Sequence, residues 1–168
     1  VSFYLPATSG KVLNFLNDFG GISDDESNEA CQFNTDLLSD VLQNHTSNNT
    51  LVFPENSTFH FFHGIYAEHV NNSVIQIDGT LRFERFDYSY DKDHPPPCIY
   101  IYGSHNLTVT SSGRGLIDGR GPQYWGIPLN GYLELRENRP RLIVFNRTTD
   151  LLIEKIILQD SPYHTLYM

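Results

Sequence analysis

From Thr50 onward the chain is cut into apolar runs of two to five residues, each bounded by Asn, Gly, Asp, Ser or Pro, and none is long enough to be a helix. Leu51-Val52-Phe53 stops at Pro54. Thr58 to Phe62 follows, then Val74 to Ile77 with Asp78-Gly79, and Leu81 to Phe83. Ile99 to Tyr102, Leu107 to Val109, Leu116-Ile117, Leu142 to Phe145, Leu151 to Ile153 and Ile156 to Leu158 complete the series. These runs are rich in β-branched and aromatic residues, so they read as short strands. Residues 99–109 match residues 142–153 with one inserted residue, and in both a strand meets a polar turn before Asn106 or Asp150 opens the next strand. Three short strands per unit, joined by polar turns, is the pattern of a β-solenoid, whose coils must stack to bury their inward residues.

Ahead of the strands lies one amphipathic helix, expected over 23–43. Ser23-Asp24-Asp25-Glu26 has the form of a capping box. Ala30, Phe33, Leu37, Leu38, Val41 and Leu42 define an apolar face at helical spacing, and the Asn-rich stretch from Asn44 to Thr50 ends it. A helix of this kind can plug the first coil. A β-sandwich would also give frequent short strands, but it has no use for a long capped helix before them. The expected layout is therefore all-β, one domain, with a lead-in segment at 1–22, the capping helix at 23–43 and coils over 50–168. Long excursions are expected near 84–97, which ends in Pro95-Pro96-Pro97, and near 120–140.

Composition narrows the partners. The net charge is −9 with no basic stripe, which argues against nucleic acid. No apolar run approaches the roughly 20 residues of a membrane span. An acidic polysaccharide would have to be held by a local cluster of Arg or Lys. Eleven Phe and ten Tyr supply core or a sugar-facing surface, core being the simpler reading. Six N-x-[ST] sequons, at Asn44, Asn48, Asn56, Asn71, Asn106 and Asn146, suggest a secreted glycoprotein, although Asn-rich turns also produce sequons by accident. The chain starts at Val1 without an apolar leader, as expected if a signal peptide was removed or the start was trimmed. In an oxidising compartment Cys31 and Cys98 could form one disulfide or stay free, and two thiols without clustered ligands give no zinc signature.

Four segments in order resemble one family. Ile117-Asp118-Gly119-Arg120-Gly121-Pro122-Gln123-Tyr124-Trp125 resembles the I-D-G-x-G-x-x-[YW]-W segment of polygalacturonases and their relatives, family 28 of the glycoside hydrolases. Arg139-Pro140 with the strand Leu142 to Phe145 resembles that family's R-P-x-x-[IL] strand, and Asp150 through Ser161-Pro162-Tyr163-His164 resembles its stretch ending in S-P. Upstream, Asp18-Phe19-Gly20-Gly21 with Asp24-Asp25 and Ala30 resembles the opening of pectin-lyase-like β-helices. The likeness covers 15–43 and 98–168, and 59–97 adds little. It implies a right-handed parallel β-helix, incomplete at its C-terminal end. It also implies a secreted or cell-wall enzyme that is monomeric, needs no cofactor or metal, and hydrolyses the galacturonan of pectin with inversion.

Hydrolysis with inversion takes a proton-donating carboxyl and a water-activating carboxylate about 6.5–9.5 Å apart. In the resembled family the N-T-D, D-D, G-H-G and R-I-K segments lie downstream of S-P, and here the chain ends at Met168. Asn34-Thr35-Asp36 and Asp24-Asp25 spell N-T-D and D-D, but they precede the D-G-x-G landmark in reversed order. They read as helix cap, dipole complement and solvated helix face. No catalytic residue is carried over, and the chain is expected to be an N-terminal fragment, inactive alone. Asp118 and Asp160 read as turn residues, Trp125 as a loop anchor, Arg139 as ordering that loop, and Gly119 and Gly121 as allowing positive φ. His60 and His63, three apart in a β run, should point to opposite faces and form no metal pair. A non-catalytic β-helix that binds a polysaccharide or a partner is the alternative. A calcium-dependent eliminase would need acidic clusters that do not stand out.

Overall fold

The computed structural model describes residues 10–85, 95–125 and 138–168. The predicted excursions fall partly outside them, at 86–94 and 126–137. Among these residues, twelve strands wind as successive three-strand coils. The first coil is β2 (Thr50–Phe53), β3 (Thr58–Phe61) and β4 (Ile65–Glu68); the second is β5 (Ser73–Ile77), β6 (Thr80–Phe83) and β7 (Ile99–Tyr102). The third is β8 (His105–Thr110), β9 (Gly115–Asp118) and β10 (Ile143–Asn146), and the fourth β11 (Thr149–Ile153), β12 (Ile156–Gln159) and β13 (Leu166–Tyr167). Each strand pairs in parallel with its counterpart one coil away, giving the three sheets β1-β2-β5-β8-β11, β3-β6-β9-β12 and β4-β7-β10-β13, with β1 (Val12–Asn14) added ahead of β2. This is a parallel β-helix.

Like stacks on like along its axis. Leu51, Ile75, Val109 and Ile153 form one inward row, Phe59, Leu81, Ile117 and Leu158 a second, and Ile65, Ile99, Ile143 and Leu166 a third. All of these pack into one apolar cluster, the fourth-coil members only partly buried. The internal repeat is simpler than the sequence alignment suggests. Ile99 pairs with Ile143 and Leu107 with Leu151, both 44 residues apart, so 99–109 matches 143–153 without an insertion. Missed altogether was β4, Ile-Tyr-Ala-Glu: only Ile65 and Ala67 face inward, and neither Ala nor Glu favours strands.

The asparagines punctuate one corner. Asn48, Asn72, Asn106 and Asp150 all have φ between 52° and 63°; Asn48 and Asn72 lie just ahead of β2 and β5, and Asn106 and Asp150 are the second residues of β8 and β11, strands of the same sheet in four successive coils. Asn tolerates this left-handed conformation better than most residues. The stacked amides also bond along the axis: Asn106 Nδ2 donates to Asn72 Oδ1 at 3.1 Å, and Asn72 Nδ2 to Asn48 Oδ1 at 3.2 Å. Asn71 at the same corner accepts the His105 amide at 2.8 Å. Three of the six sequons therefore have a structural reason for their asparagine. Asn56 sits exposed in the β2–β3 turn at φ 59°, Asn44 ends the helix with its amide on Asp40, and Asn146 reaches the Tyr100 hydroxyl at 2.8 Å.

The helix differs from its expected form at its start and in its face. α1 spans Asn28–Asn44, and Ser27 rather than Ser23 is the N-cap, its hydroxyl accepting from the Ala30 amide. Ser23 instead bridges Phe59 in antiparallel fashion, and Asp24, at φ 58°, clips onto Thr58 through both its amide and its carboxylate. Residues 23–26 are thus tied to the first coil and cannot be the first helical turn. Phe33, placed by its spacing on the apolar face, is exposed, while Asn34 and Thr35 are buried. Asn34 holds the Ile22 amide and carbonyl and the His60 carbonyl; Thr35 accepts the Phe62 amide at 2.8 Å. The helix therefore docks on β3 and β4 through a polar seam beside Leu38, Val41 and Leu42. Phe15, fully buried, fills the rest of the coil's open end.

The Cys31–Cys98 bridge does not form; both thiols are free and buried. Cys98 lies inside the apolar cluster at the start of β7, whereas Cys31 sits at the first turn of α1 with its Sγ 3.8 Å from the Glu26 carbonyl. Burial pushes both thiols up, Cys31 to about 11, so both are held in the unreactive protonated form. No helix among the described residues is long and apolar enough to cross a membrane.

Candidate functional site

The residues of the sequence motifs meet at one turn. Asp118 ends β9, is 5% exposed, pairs with Arg82 Nε at 3.1 Å and accepts the Arg120 amide at 2.9 Å. Gly119 and Gly121 donate their amides to Gln159 and Asp160 of the next coil, at 2.9 and 2.7 Å. Positive φ falls on Arg120 (50°) and not on either glycine, so their expected role is corrected: they are needed for close approach. A Cβ on Gly119 would stand 2.7 Å from the Asp160 carbonyl and from Pro162, and one on Gly121 would stand 2.2 Å from the Trp125 ring. Trp125, at the end of the single turn α2 (Pro122–Trp125), donates Nε1 to the Pro162 carbonyl at 2.9 Å, and Arg139 Nη1 reaches the same oxygen at 3.4 Å. Ser161 bonds Thr165, and Pro140 is buried.

This is a clasp that pins both ends of the excursion after β9 to the fourth coil. Asp118 is paired with Arg82, and Asp160 turns the backbone at φ 48°. Gly121→Ala should open the clasp at a cost of about 1–3 kcal/mol, since the new methyl meets the ring and backbone. Trp125 is the only tryptophan, so its emission should shift to the red as the indole leaves Pro162. An unshifted spectrum would show that the ring does not depend on the glycine.

A second cluster lies beneath the clasp. His60 Nδ1 meets Glu84 Oε1 at 3.0 Å, Arg120 approaches the same oxygen at 3.5 Å, and Gln123 donates to Oε2 at 3.0 Å. Burial alone would raise the Glu84 carboxyl; the bonds from His60 and Gln123 and the Arg120 charge outweigh it and hold the group below its ordinary value. Glu26, His60 and Glu84 place ligand-type atoms within 4.8 Å of one another, and His63 is not among them. Both Glu84 oxygens and the facing His60 nitrogen are already bonded, and a guanidinium stands beside them. The group fits a closed polar network linking β3 to the excursion better than it fits a cation.

Open chemistry lies on the outer face of the β4-β7-β10-β13 sheet. Tyr66, Tyr100, Val144 and Tyr167 share one outward row, in which Val144 is covered and the tyrosines are exposed or half-buried, and Glu68, Tyr102 and Asn146 share the next. The Tyr66 and Tyr100 rings stack at 5.5 Å with an interplanar angle of 10°. Beside Pro96 and Pro97 these tyrosines line a groove of about 610 Å3, in the roughly 300–1,000 Å3 range of small-ligand sites. One cation reaches a tyrosine that lines it, and a second sits beyond it on a tyrosine of the fourth coil. Arg147 bonds the Tyr102 hydroxyl at 2.7 Å, and Arg141 lies 4.7 Å from the Tyr167 ring centroid. Glu68 is the sole carboxylate in these four strands. Flat aromatic faces, hydroxyls and guanidinium groups suit the apolar faces, hydroxyls and carboxylates of acidic sugars. None of the tyrosines, nor Glu68, Arg141 or Arg147, was singled out from the sequence. The alternation Ile-Tyr-Ile-Tyr at 99–102 was the available signal, since a half-buried strand turns its second set outward.

The family model for glycosyl hydrolases family 28 matches residues 46–168. That span takes in 59–97, which adds little to the resemblance read from the sequence, and leaves out the upstream 15–43. No curated protein matches the chain in sequence. Among solved structures, a candidate glycosyl hydrolase from Parabacteroides merdae ATCC 43184 is similar, with a TM-score of 0.58 and 22% identity over 91% of this chain and 68% of that one. At that identity the likeness speaks for the fold.

Proposed function

We propose that this chain, which belongs to glycosyl hydrolases family 28, holds a pectic polysaccharide along the outer face of the β4-β7-β10-β13 sheet. The observation that carries the reading is the pair of guanidinium groups, Arg141 and Arg147, set against tyrosines on an open face of a chain whose net charge is −9. A polyanion would be repelled at long range by such a protein and needs a local cationic foothold. The tyrosine row gives it a stacking surface. The partner is a galacturonan-type polymer. Secretion to a cell-wall setting belongs to the same reading, supported by the exposed sequon at Asn56.

Cleavage in the proposed enzyme is inverting hydrolysis, which needs two carboxyl groups facing each other across a glycosidic bond. The four strands of this face carry only Glu68, so the 168 residues by themselves are proposed to bind and not to cut. The same observation favours, as a second reading, a binding protein without catalysis. Titration of the chain with oligogalacturonides, alongside a reducing-sugar assay, separates the possibilities. Binding without new reducing ends is expected, and Tyr100→Ala should weaken it about three- to twelve-fold, the worth of one aromatic stacking contact. Undiminished binding by that variant would place the ligand elsewhere, and release of reducing ends would overturn the inactive reading.

A further inference from the structure

The charge on the tyrosine face is not uniform, and its order along the axis has a consequence for what can sit where. Both guanidinium groups belong to the third coil's side: Arg141 precedes β10 and Arg147 follows it. At the first coil the only charged group lining the groove, among the described residues, is the Glu68 carboxylate. Glu68 pairs across the sheet with Tyr102, which pairs with Asn146 beside Arg147. Two strand spacings, roughly 10 Å, separate the backbones of Glu68 and Asn146, and the Arg147 guanidinium reaches back over Tyr102 to its hydroxyl, on the side of the groove away from Tyr66.

Glu68 is also fixed in place. The Tyr66 hydroxyl donates to its Oε1, Gln43 Oε1 accepts its backbone amide at 2.9 Å, and His69 Nε2 stands 3.9 Å from Oε2. The bond to Glu68 raises the Tyr66 hydroxyl to about 12, so the tyrosine stays a neutral donor to that carboxylate. No arginine or lysine is paired with this carboxylate among the described residues. A free uronate laid on Tyr66 and Tyr100 would bring a second negative charge beside it.

We propose that Glu68 makes the first-coil end of the groove a subsite for an uncharged sugar residue, a methyl-esterified uronate or a neutral pyranose, while free uronates are held at the Arg147 end. This rests on the reading of the face as a polysaccharide site. Glu68 acts by exclusion: it weakens the wrong ligand more than it strengthens the right one. A ligand that alternates or mixes charged and uncharged residues fits both ends at once.

The test is a titration of the whole chain with fully de-esterified and fully methyl-esterified oligogalacturonides of equal length, and with a neutral galacto-oligosaccharide, at low salt. Glu68→Gln keeps an acceptor for the Tyr66 hydroxyl and removes the charge. It should raise affinity for the de-esterified ligand about five-fold, the effect of deleting one like charge a few ångströms away in a wet site. Affinity for the two uncharged ligands should stay within about twofold, and whichever of them binds the wild type more tightly names the source of the uncharged residue. Arg147→Ala should lower affinity for the de-esterified ligand. If Glu68→Gln changes nothing while Arg147→Ala still weakens binding, the subsite is overturned and the face reading stands. If Glu68→Gln weakens all three ligands, Glu68 is a hydrogen-bonding contact and the exclusion is overturned. If the wild type binds none of them, both readings fall.

Discussion

Asn34→Ala should lower the unfolding free energy by about 2–4 kcal/mol, because it leaves three backbone groups at the helix seam without partners. Asn34 is fully buried on α1, with Oδ1 accepting the Ile22 amide at 2.9 Å and Nδ2 donating to the Ile22 carbonyl at 2.8 Å and the His60 carbonyl at 3.1 Å. An alanine removes all three bonds and opens a gap no helix backbone can close. Asn34→Asp tests the mechanism more sharply. It keeps the acceptor for Ile22 but loses both donors and buries a charge, so it should be at least as damaging as alanine. Asp36, two positions on, is exposed, and its partner among the described residues is Gln32. Asp36→Ala should therefore change stability by no more than about 0.5 kcal/mol, as surface substitutions usually do. Urea midpoints of the three variants check the set. An Asn34→Ala loss no larger than that of Asp36→Ala would mean water replaces the seam bonds.

That contrast shows where sequence reading succeeded and where it failed. The strand rhythm after Thr50 was legible because each inward row repeats an apolar residue at turn-bounded intervals, and stacking coils demand that repetition. The Asp118-to-Trp125 and Ser161-Pro162 motifs were also visible, though the reason for their glycines was not. Close approach to the neighbouring coil is a tertiary fact, and only Arg120 shows the left-handed φ that a local reading assigns to glycine. The helix face was misplaced because apolarity was the only guide. Phe33 fits the stripe yet lies exposed, while Asn34 and Thr35 go inside because the coil end presents carbonyls and amides there. The tyrosine face was hidden for a similar reason. Tyr66, Tyr100 and Tyr167 come from three distant segments, and they join one row only after the coils are stacked in register.

Phe15→Ala should be the most costly single change, at about 3–5 kcal/mol for a fully enclosed aromatic ring. Its ring centroid lies 4.8 Å from Phe53, 5.3 Å from Phe59 and 6.2 Å from Phe61, so it closes the first coil with three rings from that coil's own strands. Gly21 packs directly on it, a Cβ there falling 2.4 Å from the ring, so that side of the void has no side chain to fill it. The position also decides how the loss is distributed. In a solenoid each coil leans mainly on its neighbours, so an opened end frays from that end. Hydrogen exchange of Phe15→Ala should accelerate first in β2, β3 and β4, and only weakly in β8 and β9. Phe15→Leu, which keeps most of the volume, should recover more than half of the loss. Uniform acceleration through all coils would mean that the stack melts as one unit. A loss below about 1 kcal/mol would mean that Leu38, Val41 and Leu42 of α1 close the coil without the ring, since that is under the usual cost of emptying a buried aromatic site.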